Sequence, residues 1–435
     1  MDLRVPLGDR ADHILRKIRR LGPEPILPEV HGRDLLLERA LINRFRFIPG
    51  QTAAGTCRLL STCDGVIAVN LPRADDWQLV NAWLESDRLD DPGCVVATNL
   101  LPGTNAVKPD HNDLSLKPWN IVSELVSSQP SNYLLDRARE LGLAVAAADL
   151  VPTGPTDFYH NLFRGSPVIR HDQKPPRVVD LSALWAGPLC SHLLQLLGAE
   201  VIKVESTGRP DGAREGNQEF YALLNQAKRS VALDLKSVEG IKALRQLLAT
   251  ADIVIESSRP RALLQLGINP REFVRNIPGI TWIQITGHGS EAPVNNWIGY
   301  GDDAAAAAGL SALLYKATGN YGFVGDAIAD PLTGLHAGLV AWQSWRNGGG
   351  KLLALSLRGV TSYCLHKAMD DERSGFAMDL KSWPNSVGLL NRNYAGKKMS
   401  GSKLIQHSVR LAQGGVASLG EHTIEVMKEV HELSL

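Results

Sequence analysis

Residues 178–206 read VVDLSALWAGPLCSHLLQLLGAEVIKVES, and they decide the fold. A short apolar run at 178–181 leads into a Gly-Pro turn, a helical stretch at 188–197 and a second apolar run at 201–204. That succession is a βαβ unit with parallel strands. The N-terminus of its helix faces a crevice, where unpaired backbone N–H groups suit an anion. On the residues alone, plain folding and anion binding are both open readings of the unit.

Further strands are expected at 230–235, 253–256, 281–286 and 352–357, with helical stretches such as 239–250 between several of them. Strands alternating with helices predict an α/β fold: an open, mainly parallel Rossmann-like sheet with helices on both faces. Residues 302–314 and 331–345 extend this zone as helices, and a last helix runs from about 421 to 433. The pattern before residue 150 is different. Short strands at 58–61 and 65–70 flank a turn, and helices are expected at 75–84, 118–126 and 133–141, the last stopped by Gly142. This mixture predicts a smaller α+β domain. The resulting expectation is a lead-in over 1–30, a small α+β domain over 31–155, a linker over 156–176, a large domain over 177–365 and a helical segment over 366–435 that completes the large domain.

Composition narrows the function. The 435 residues carry 46 basic and 46 acidic side chains, and this balance argues against a nucleic-acid footprint. Apolar residues at 44% and charged residues at 21% are ordinary for a globular chain with a sizeable core. Five cysteines without a CxxC pair argue against structural zinc and a disulfide framework, and fit a reducing cytoplasm. No apolar run is long enough to predict a membrane span. The turn after the first strand lacks GxGxxG, and GxxxxGK[ST], HExxH and GxSxG are also missing. Dinucleotide, P-loop, metalloprotease and α/β-hydrolase chemistries therefore lose their best support.

The 178–206 unit resembles the start of the class III CoA-transferase family, which includes formyl-CoA and carnitine CoA-transferases and α-methylacyl-CoA racemases. Further blocks follow in the family's order: LLNQAKRSVALDLKSVEG, ADIVIESSRPRALLQLGI, ITWIQITGHGSEAP, GYGDDAAAAAGL and GDAIADPLTGLHAGLVA. ASLGEHTIEVMKEV resembles the usual C-terminal ending. The order of the parts departs from the family. Residues 57–150 resemble its small domain but precede the large one, as in a circular permutation or the rear of a duplicated protein.

The resemblance implies a reaction. An aspartate attacks an acyl-CoA thioester to give a mixed anhydride, the released thiolate returns to form an aspartyl-CoA thioester, and an acceptor carboxylate collects the CoA. The matching aspartate is Asp330, which equally suits a helix N-cap. Asp302 matches a supporting acidic position; Asp326 is the nearest rival nucleophile, and Asp303 is a neighbour or a cap. The resemblance places CoA against Ala183, Leu184, Trp185 and Ala186, with Leu233 beside the adenine. Ser257, Ser258 and Arg259, with Arg261 close by, stand where the family binds CoA phosphates through charge-assisted bonds. Lys228 and Arg229 are expected to be structural or near a dimer contact, and His288 and His336 packed or capping. The family implies CoA as a substrate, no prosthetic group and an interlocked homodimer. Its racemases pair the aspartate with a histidine, and 295–310 contains none, which disfavours proton shuttling. Alternatives are an acyl-CoA racemase or isomerase, and a non-catalytic subunit of a hetero-oligomeric transferase.

Overall fold

A computed structural model describes residues 3–22, 24, 26–89, 116–151, 157–170, 174–371, 374–394 and 410–433. Among the described residues, ten strands form two sheets. The small sheet contains β1 (Cys57–Ser61), β2 (Val66–Asn70) and β3 (Ala144–Ala147), all antiparallel with β2 central. The large sheet contains β4 (His160–Arg164), β5 (Arg177–Asp180), β6 (Glu200–Ser206), β7 (Arg229–Leu233), β8 (Ile253–Glu256), β9 (Thr281–Thr286) and β10 (Lys351–Ser356). Its strand order is β4-β10-β9-β8-β5-β6-β7, parallel except for the antiparallel β4 edge.

Alternation along each strand divides the large domain into two apolar layers. Val178, Ile253, Ile255, Ile283 and Leu353 face one core; Val179, Val254, Trp282 and Leu352 face the other. The first layer holds the helices Ala186–Leu196 and Ala329–Arg346. These two approach closely because Gly334 has no side chain, and a Cβ there would lie 2.8 Å from the Ala186 carbonyl oxygen. The second layer holds the helix Val238–Ala249 and, through Val426 and Val430, the helix Thr423–Leu433.

Several expectations are corrected here. The stretch 156–176, expected as a linker, supplies β4, which pairs with β10 through Lys351↔Arg164 and Leu352↔Phe163. Its sequence, HNLFR, is too polar to signal a strand, as suits an edge with no neighbour beyond it. Residues 302–314 form two helices, Gly301–Ala307 and Leu310–Thr318, because Gly309 between them has φ 98°. Leu357, expected at the end of a strand, starts the helix Leu357–Asp370, whose cap is the Ser356 Oγ accepting from the Gly359 N–H at 3.0 Å. The helices Gly8–Arg19 and Gly32–Asn43 also belong to the large domain's first layer, through Ile14, Leu15, Ile18, Leu35, Leu36 and Leu37. A separate small-domain core begins only at Leu60, with Ile67, Val69, Trp83, Trp119 and Leu134. The other face of the small sheet, with Cys57, Ala68 and Ala148, packs on Ala306 of the large domain.

Candidate active site

The first parallel strand of the large sheet, β5, lies between β6 and β8. The chain therefore leaves neighbouring strands in opposite directions at this point, and their carboxyl ends flank a crevice. Three of the expected binding segments sit at strand carboxyl ends: Ala183–Ala186 after β5, Ser257–Arg261 after β8 and Leu233 at the end of β7.

Four carboxyl groups meet beside this turn. Asp302 and Asp303 open the helix Gly301–Ala307, Asp330 opens Ala329–Arg346, and Asp326 lies in the loop before it. Asp302, Asp303 and Asp326 are buried, whereas Asp330 is half-buried. Asp326 is clamped by Arg39, whose Nε and Nη2 donate to its two oxygens at 2.8 and 2.5 Å. Asp302 Oδ1 accepts the Ala327 N–H at 2.8 Å, and Ala327 sits at φ 44°, so a strained residue is pinned by a carboxylate. Asp303 is committed elsewhere, because its Oδ1 accepts from Asn70 Nδ2 at 2.8 Å and from the Tyr300 N–H at 3.0 Å. The first bond ties the small sheet to the site; the second caps the helix.

The backbone N–H groups of Ala186 and Gly301 lie beside Asp330 and favour its ionised form. The first of these groups belongs to the turn after β5. Gly301 is required by close approach, since a methyl group there would run into Asp330 Oδ2 and the Ala327 carbonyl. Burial pushes the Asp330 carboxyl up to about 7, with Asp326 adding to the rise and Arg39 and the two nearby N–H groups opposing it. Burial lifts Asp303 to about 7 as well, and Asp302 is raised by burial and by the charge of Asp326. Asp330 is thus the accessible member of a crowded group, with its nucleophilic form arising near neutral pH.

The expected CoA contacts divide into two kinds. Ala183 donates its N–H to Ser257 Oγ at 3.1 Å, and Leu184, at φ 67° and exposed, donates to Asp211 Oδ1 at 3.1 Å. Trp185 does not line open space: its ring is buried edge-on to Phe220, with the Arg39 guanidinium 5.3 Å from its centroid. Leu233 is buried in the second layer, and the Ser258 hydroxyl turns inward to Glu256 Oε2 at 2.6 Å. Arg259 and Arg261 are exposed. Burial and then the charges of Arg261, Arg73 and Arg209 hold the Arg259 guanidinium below its usual range. Arg73 and Arg209 complete a four-arginine group that the sequence did not reveal. Arg73 comes from the loop after β2 and Arg209 from the loop after β6, so no spacing in the chain links them to Arg259.

Lys228 is structural: it is buried and donates to Asp180 Oδ2, Ser191 Oγ, the Pro188 carbonyl and Asn225 Oδ1. Arg229 binds Glu200, Glu425 and Glu429. His288 and His336 are buried, and desolvation takes both down to about 4. Neither is poised as a base at neutral pH.

Residues 176–378 match CoA-transferase family III, a span that contains all four carboxylates and the turn after β5. The resemblance read from the ordered sequence blocks is borne out there. Succinyl-CoA:glutarate CoA-transferase of Homo sapiens is 29% identical over 238 residues, covering 52% of this chain and 54% of that protein. Succinyl-CoA–D-citramalate CoA-transferase of Chloroflexus aurantiacus is 31% identical over 202 residues, covering 42% of this chain and 50% of that protein. The chain therefore spans about half the length of the curated relatives it matches. Among solved structures, Rv3272 from M. tuberculosis shares 26% identity at a TM-score of 0.41, over 47% of this chain and 58% of that one. Among the described residues no helix is long and apolar enough to cross a membrane.

Proposed function

We propose that the protein moves CoA from an acyl-CoA thioester to a carboxylic acid, with Asp330 as the nucleophile. One observation carries this reading. Of four clustered carboxyls, Asp330 is the one left partly open, and the N–H groups of Ala186 and Gly301 beside it favour its ionised form. Asp326, the rival nucleophile, is buried and held by Arg39.

In the proposed cycle the Asp330 carboxylate attacks the thioester carbonyl, the C–S bond breaks and CoA leaves as the thiolate. The thiolate attacks the Asp330 carbonyl of the resulting anhydride, releasing the donor acid and leaving an aspartyl-CoA thioester. The acceptor carboxylate then attacks that thioester, and the thiolate expelled attacks the acceptor's carbonyl and frees Asp330. A carboxylate is a weak nucleophile, so positioning and exclusion of water must supply much of the rate. The guanidinium groups of Arg73, Arg209, Arg259 and Arg261 suit the phosphates of CoA at the crevice mouth. No prosthetic group takes part. Family resemblance adds the expectation of a homodimer, which a calibrated sizing column tests; a monomer peak removes it.

Trapping tests the reading. Incubation with an acyl-CoA and hydroxylamine, followed by peptide mass spectrometry, is expected to place a hydroxamate on Asp330. Acyl-CoA binding with Asp330 unmodified across a panel of thioesters overturns it. Exchange of the substrate's α-proton in heavy water would instead mark a racemase.

A further inference from the structure

Arg39 lies 291 positions before Asp330 in the chain and outside the stretch matching the family. The helix Gly32–Asn43 carries it there, packed into the first apolar layer through Leu35, Leu36, Leu37 and Ala40. Its side chain is 17% exposed, and the guanidinium sits between two things that define the site. On one side is the ring of Trp185 in the turn after β5; on the other is Asp326, four residues before Asp330.

We propose that Arg39 is a positioning residue for the Asp330 nucleophile. By clamping Asp326 at two points it fixes the loop 325–329 against the turn after β5, and its charge allows Asp330 to ionise beside other carboxylates. The inference rests on the reading of Asp330 as the attacking group.

Every element around Asp330 bears on the charge balance. The helix Gly301–Ala307 brings Asp302 and Asp303, the loop brings Asp326, and the N-terminal helix brings Arg39. The turn after β5 contributes the Trp185 ring and the Ala186 N–H. Asp302, Asp326 and Asp330 thus share one guanidinium. A buried carboxylate without a compensating charge takes a proton instead. If Arg39 is removed, the group must hold at least one more proton, and Asp330 is then protonated and non-nucleophilic at neutral pH. The clamp has a geometric side too. Asp326 fixes the start of a loop whose Ala327 carbonyl accepts the Asp330 N–H at 2.8 Å, so release of Asp326 loosens the backbone that aims Asp330.

The test is a titration of the full-length chain labelled with ¹³C at aspartate side-chain carboxyls, with Asp330→Asn identifying the Asp330 signal. In Arg39→Gln the Asp330 midpoint is expected to rise by at least about one pH unit, and in Asp326→Asn to fall. Arg39→Gln/Asp326→Asn, which removes one charge of each sign, should return it toward the wild-type value. In a CoA-transfer assay, Arg39→Gln should lower kcat at pH 7 by about 10- to 100-fold, recover partly at pH 9, and leave the KM for acyl-CoA within about threefold. Arg39→Lys should restore part of the loss and keep the midpoint near the wild-type value. A purely structural role would lower thermal stability without moving the midpoint. Midpoints in Arg39→Gln and Asp326→Asn both within about 0.3 pH unit of wild type overturn the proposal. If Arg39→Gln does not fold, Arg39→Lys and Asp326→Asn, both of which keep a cation at position 39, carry the decision. A shifted midpoint in a chain that transfers no CoA refutes the reaction while keeping the coupling of Arg39 to Asp330; normal transfer with an unmoved midpoint supports the reaction and refutes the Arg39 inference.

Discussion

Two buried polar clusters flank the turn after β5, and they are built on opposite plans. Beneath the turn, Asp180, Glu205 and Asp211 meet Lys203, Lys228 and Arg214, three charges of each sign. Lys203 donates to Asp211 Oδ2 at 2.9 Å and to the Ser182 carbonyl at 3.0 Å, while the hydroxyls of Ser182 and Ser191 both reach Asp180. Burial alone would raise Asp180, but Lys228, Lys203 and these hydroxyls overcome it and hold its carboxyl below the usual range. Above the turn, Arg39 faces three of four clustered carboxyls, Asp302, Asp326 and Asp330, and three members of the group, Asp302, Asp303 and Asp330, are raised. The matched cluster is a fastener for the sheet. The mismatched one stores electrostatic strain where a reactive carboxylate is wanted.

Substitutions break or sharpen this contrast. The largest effect is expected from Asp330→Asn, which should lower kcat for CoA transfer by more than about a thousandfold while far-UV circular dichroism is unchanged. Lys228→Met should act on the other cluster and on stability alone, costing about 3–5 kcal/mol in urea unfolding because it leaves Asp180 buried with less compensation. Gly301→Ala places a methyl group against Asp330 Oδ2 and should cost about 10- to 100-fold in kcat through misplacement. In the wild type, the transfer rate should climb as Asp330 loses its proton, with a midpoint near pH 7 in a kcat profile.

The smallest effect concerns stability against pH, where the clusters have opposite signs. The folded chain keeps protons on Asp302, Asp303 and Asp330 that the unfolded chain releases at ordinary carboxylate pH. Stability from this cluster therefore falls as pH rises from about 4 through about 7 to 8. Asp180 is lowered, so its contribution is present above the ordinary range and is lost in acid. Asp330→Asn should raise the Tm at pH 8 by about 2–4 °C and have little effect at pH 5, as followed by calorimetry.

The α/β sheet was legible because its strands are short apolar runs separated by amphipathic helices; 253–256 and 281–286 coincide with β8 and β9. The edge strand β4 was not, since HNLFR carries no apolar periodicity and gains its place from the β10 backbone. Asp330 was legible through an ordered block of residues, but its special exposure was not, because that depends on which neighbours are covered. Arg39 left no local signal: an arginine in an apolar helix reads as a solvated side chain until the tertiary fold sets it beside a residue 287 positions away. Arg73 and Arg209 are hidden for the same reason, as they meet Arg259 only in space.

The bond from Asn70 to Asp303 and the clamp from Arg39 to Asp326 both reach across the β4 segment from the front of the chain. A fragment cut to the family-matching stretch would keep Asp330, the proposed nucleophile, and lose the guanidinium and amide that hold its neighbours Asp326 and Asp303. Severing the backbone near residue 151 and supplying the two pieces separately should therefore give halves that are silent apart and regain turnover on docking, which makes this chain a ready-made split reporter.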